Sequence, residues 1–104
     1  MSLNEETEQN LKNLLKIVHN QVDWNHFGQR SYKWDVYAHA IRAASNQESL
    51  PKFLDRLCDN LGIQSLQAPT ELLQRLRVNQ RVVLEALRKE TMYWVALVID
   101  EVQK

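Results

Sequence analysis

At 104 residues the chain can bury one modest core but not a core plus a large enclosed catalytic cleft. Its 13 basic and 13 acidic residues balance, so no global field draws it to nucleic acid or to an anionic membrane. The single cysteine, Cys58, excludes an intramolecular disulfide. With a polar, acidic start unlike a targeting peptide, that points to a cytoplasmic chain.

Two glycines and two prolines leave little material for turns, which predicts helices. In "NLKNLLKIVHNQV" the residues Leu11, Leu14, Leu15, Val18 and Val22 recur at the spacing of one helix face. Glu5, Glu6 and Glu8 fall in the first turns, where acids complement the helix dipole. "DWNHFGQRS" is irregular, carries Gly28 and reads as a loop or short turn. Ser31 is placed to cap "YKWDVYAHAIRAAS", with Trp34, Ala38, Ile41 and Ala44/Ser45 as its inner stripe. Ser49 should cap a third helix that tolerates Pro51 in its first turn. Phe53, Leu54, Leu57, Cys58 and Leu61 share one side of it. Gly62 followed by Ile63 is the expected stop.

The C-terminal third has the clearest pattern. With Thr70 as its cap, Leu72, Leu76, Val83, Leu87, Trp94 and Val98 fall within about 40° of one line. Either one long helix runs through, or two helices meet near "RVNQR" with a kink that preserves phase. The run Met92 to Ile99 is apolar nearly all round and falls far short of the roughly 20 residues of a membrane span. No second segment offers it a partner strand, so it reads as helix. A helix apolar on both sides is either central or covered by something else. The expectation is an all-α fold, one helical domain over residues 1–104. It is a compact bundle of four or five helices with a long apolar C-terminal helix, and Leu57, Leu61, Leu76, Val83, Leu87 and Trp94 lie in one core.

Chemistry is sparse. His19, His26 and His39 lack the close spacing that converges on a metal, and no paired cysteines or glycine-rich phosphate loop occur. Cys58 reads as an inert core thiol. No pair of acids sits on an apolar wall that would raise a pKa for acid–base work. An enzyme, a cofactor and a small-molecule substrate are therefore not expected.

Two features stand above background. Between Gln74 and Lys89, Arg75, Arg77, Arg81, Arg88 and Lys89 face a single acid, Glu85. On a continuous helix Arg77, Arg81 and Arg88 would line one flank, able to track phosphates or fork onto a partner's carboxylates. The plain alternative is a solvated flank whose stems cover apolar surface. Trp24, Phe27, Tyr32, Trp34 and Tyr37 crowd one short stretch, enough for core packing and an interface as well.

The expected function is a non-catalytic interaction module, or small subunit, that binds protein, as a homo-oligomer or in a larger complex. Its expected contacts are Met92, Tyr93, Ala96 and Ile99 on the far face of the C-terminal helix, with Trp24. The alternative is a small subunit of a nucleoprotein complex, for example an RNA-guided effector, holding RNA or DNA phosphates with the arginine flank. No membrane partner is expected.

Overall fold

The first helix, α1 (Glu5–Gln21), starts where Asn4 accepts the Thr7 N–H on its side chain at 2.8 Å. That satisfies one of the helix's free N-terminal donors. Its predicted stripe, Leu11 to Val22, is buried throughout. The structure, a computed structural model, describes residues 3–27 and 32–102 and contains no strand among them.

A short 3₁₀ turn, Trp24–Phe27, falls in the stretch read as irregular. The predicted cap Ser31 lies outside the described residues. The second helix, α2 (Lys33–Ser45), buries Ala38, Ile41, Ala44 and Ser45 as expected. Trp34 departs from the prediction: it is 37% exposed. It stands in the first turn of α2, and Tyr37, one turn further in, takes the buried place.

The third helix, α3 (Leu50–Leu61), starts and stops as its sequence predicts. The Ser49 hydroxyl accepts the Lys52 N–H, and Pro51 sits in the first turn. Gly62 then turns left-handed with φ 71°. The Gly62 N–H donates to the Asp59 carbonyl and the Ile63 N–H to that of Cys58. This pair of bonds closes the helix while Ile63 packs back on the core. Leu54, placed on the inner side by spacing, is only half-buried.

Where one long helix, or two, was expected, there are three: α4 (Thr70–Val78), α5 (Gln80–Lys89) and α6 (Thr91–Val102). The described residues thus form six α-helices, not four or five, and the long C-terminal helix is absent. Thr70 is the first helical residue, not the cap, and Pro69 precedes it. The first break is at Asn79, where φ is −111° and ψ 24°. Here the polar pair turns to other helices: the Asn79 amide donates to the Thr7 hydroxyl at 3.5 Å, and Gln80 Oε1 accepts the Leu50 N–H at 2.8 Å. The second is at Glu90, with φ −121° and ψ 38°. Beside it the buried Thr91 hydroxyl donates to the Leu87 carbonyl at 2.7 Å. A hydroxyl that bonds back to the preceding turn bends a helix there. Phase survives both breaks: Leu72, Leu76, Val83, Leu87, Trp94 and Val98 are all buried.

The helices surround one continuous apolar cluster to which each contributes. α1 packs against α4 and α6, while α2 packs against α3, α5 and α6, so α6 lies between α1 and α2. The Tyr93 hydroxyl donates to Glu8, and Leu97 and Val98 share a crevice with Lys12, Leu15 and Lys16. These pairings set α6 parallel to α1. α4 runs the other way along α1. Its start is tied by Gln21, whose amide donates to the Gln67 carbonyl at 2.6 Å and accepts the Gln67 N–H at 2.8 Å. All six residues expected in one core are 1% exposed or less. No helix among the described residues is long and apolar enough to cross a membrane.

Candidate functional site

The far face of α6 is divided. Met92 and Tyr93 are 38% and 47% exposed. Ala96 is half-buried, and Ile99 is half-buried against the core. Two large side chains therefore remain open, at the start of α6. The Tyr93 hydroxyl bonds Glu8 at 2.8 Å, and this carboxylate holds the phenol above its ordinary pKa.

Trp24 is not beside them. It packs with His19, Phe27 and Tyr37, with ring centroids 5.2, 5.9 and 5.1 Å from its own. Lys33 Nζ lies 5.0 Å from the centroid of the indole, within cation–π range. Tyr93 meets α1 at Glu8, whereas Trp24 meets it at His19, about 16 Å further along the helix. The two parts of the expected interface thus lie toward opposite ends of α1. The five crowded aromatics divide similarly: Trp24, Phe27 and Tyr37 turn inward, while Tyr32 and Trp34 are exposed. His19 Nδ1 shares a hydrogen bond with the Tyr37 hydroxyl. Burial, then the nearby Lys33 charge, lowers the His19 pKa.

The arginine flank is cut by the Asn79 break, which leaves Arg77 on α4 and Arg81 and Arg88 on α5. Arg75 reaches Glu71 at 3.9 Å, and Lys89 pairs with Glu85 at 2.8 Å. Arg88 donates through Nε and Nη2 to the Ser45 carbonyl, tying α5 to the end of α2. Arg81 and Arg88 line a shallow hollow with Glu48 and Glu85, so charges of both signs line it.

One concavity was not anticipated. A groove of about 760 Å³ lies between α3 and α4, with residues 63–66 at one end. Leu50 and Arg77 lie toward the other end, because the Leu50 N–H is held by Gln80 just past the end of α4. Leu54, Leu66 and Leu73 line it while only half-buried, and Cys58 and Ile63 lie deeper. Its polar residues, among them Asp55, Asp59, Gln74 and Arg77, are all exposed. The floor is therefore apolar and the rim polar. Burial, then Asp55 and Asp59, raises the Cys58 pKa. This thiol stays protonated and unreactive near neutral pH.

One signal for the groove is present in the sequence. Leu54 and Leu73 each stand beside a residue of the inner line, adding apolar width that the core does not use up. Among the described residues, no three His, Cys, Asp or Glu side chains are grouped to hold a metal ion. No family model, curated protein or solved structure matches the chain.

Proposed function

We propose that the chain is a non-catalytic helical interaction module that binds another protein through the α3–α4 groove, with the Met92–Tyr93 corner as a separate, smaller contact. The observation that carries this is the make-up of the groove: half-buried leucines under a rim of exposed polar groups. A small-molecule site sets a few polar groups inside the pocket to orient its ligand. Every polar side chain of this groove is instead at the rim, a pattern that suits an apolar stripe laid into it from a partner. The reading shifts the main contact from α6 to α3 and α4, because Ala96 and Ile99 are already half-buried and Ile99 packs on the core. The arginines lend less support to a nucleic-acid reading: Arg75, Arg88 and Lys89 are engaged within the chain.

The test is affinity capture from an extract of the native cells, comparing the wild type with Leu54→Glu/Leu73→Glu and with Met92→Glu. Circular dichroism checks that each variant is folded. The groove variant should lose the captured protein and Met92→Glu should keep it. Equal capture by the groove variant and the wild type would overturn the reading.

A further inference from the structure

The charges around the groove specify more than an apolar partner. Asp55 and Asp59 are one helical turn apart on the α3 wall, both exposed, and neither has an ion-pair partner among the described residues. On the α4 wall Arg77 is likewise exposed and unpaired. Two acids about 6 Å apart along a helix match two cations at the same spacing on a second helix. The α3 wall is 12 residues, or about 18 Å, long, which fits a helical segment of about three turns. A second copy has no such helix to offer: the main apolar stripe of α1 to α5 is spent on its own core, and α6 leaves only Met92 and Tyr93 among its described large apolar side chains exposed, too few for a stripe of about three turns.

Resting on the groove reading above, we infer that the occupant is an amphipathic helix of a different protein. It sets an apolar stripe on Leu54, Leu66 and Leu73, and presents Lys or Arg at positions i and i+4 to Asp55 and Asp59. An acid near one end of that helix would meet Arg77, which fixes its direction in the groove. The leucines supply affinity and the unpaired charges supply register and choice of partner.

The experiment is to pan a displayed library of random peptides of about 12–16 residues against the full chain and to synthesise the peptides that emerge. Expected binders carry apolar residues at i, i+3 or i+4, and i+7, with a basic pair one turn apart. They should shift the methyl NMR signals of Leu54, Leu66 and Leu73, because those side chains line the groove. Asp55→Asn/Asp59→Asn should weaken them about tenfold, the scale of two exposed ion pairs. Asp55→Lys/Asp59→Lys should reverse the preference and select acidic peptides, an outcome that a loss of fold cannot produce. Binders that shift those signals and fail on Leu73→Glu, yet show no basic preference, would overturn the inference and leave the groove reading standing. If no binder shifts those signals, or none is found, both fall. Self-association that shifts those signals without peptide would assign the groove to a second copy and overturn the inference as well.

Discussion

At the scale of single residues, His19 links α1 to α2 through Tyr37 and touches the Trp24 ring. Its folded-state pKa lies below the ordinary value, so the unfolded chain takes up the proton first as pH falls. Stability should therefore drop as pH falls through about 6.5, where the unfolded imidazole becomes charged. Urea midpoints measured between about pH 7.5 and about pH 5.5 should decline more for the wild type than for His19→Gln. Equal declines would remove His19 as the cause. Leu87 is fully buried, and Leu87→Ala should cost about 2–5 kcal/mol in the same assay. Met92 and Ile99 were expected to act as one surface; Met92 is exposed, whereas Ile99 is half-buried against the core. Met92→Glu should leave the urea midpoint nearly unchanged, whereas Ile99→Glu should lower it, because Ile99 packs on the core. Equal effects would restore the single face.

At the scale of elements, two helix ends among the described residues are completed from outside their own segment: the start of α3 by Gln80 and the end of α2 by Arg88. The Leu50 N–H opens α3 and finds its acceptor in Gln80, thirty residues on. Gln80→Ala would leave this part-buried donor without its partner, at a cost of about 1–3 kcal/mol. Faster exchange of the Leu50 amide hydrogen would tie the loss to that bond, and unchanged exchange would sever the link. The α3 stop was legible in advance because glycine, the left-handed turn and the returning isoleucine are neighbours in sequence. The Asn79 break was legible as a weak point, since two amides on an apolar line need partners. The Glu90 break was not, because nothing in the spacing of "RKETMYW" departs from helix. Its visible device is one hydroxyl, Thr91, bonded to the preceding turn.

For the whole molecule, the groove depends on how far α3 and α4 stand apart, and the segment between them is held by Gln21. That side chain pairs with the backbone of Gln67 through both its donor and its acceptor. Gln21→Ala should speed hydrogen exchange at Gln67 and at the start of α4, while amides in the middle of α2 keep their protection. Uniform acceleration would mean that the clamp supports the entire fold, not this seam.

The helical class, the buried stripe of α1 and the six core positions from Leu57 to Trp94 follow from spacing, which repeats within a few residues and needs no knowledge of neighbours. So does the preserved phase of the C-terminal third, because a kink changes a helix's direction without moving its apolar side chains off the core. Tertiary structure decided the rest. It turned Asn79 and Gln80 toward Thr7 and Leu50, set Trp24 toward the far end of α1 from Met92, and left Leu54 and Leu73 facing a gap. Each of these depends on contacts between residues far apart in the chain. Local periodicity ranks the faces of one helix, but it does not say which other helix will cover them.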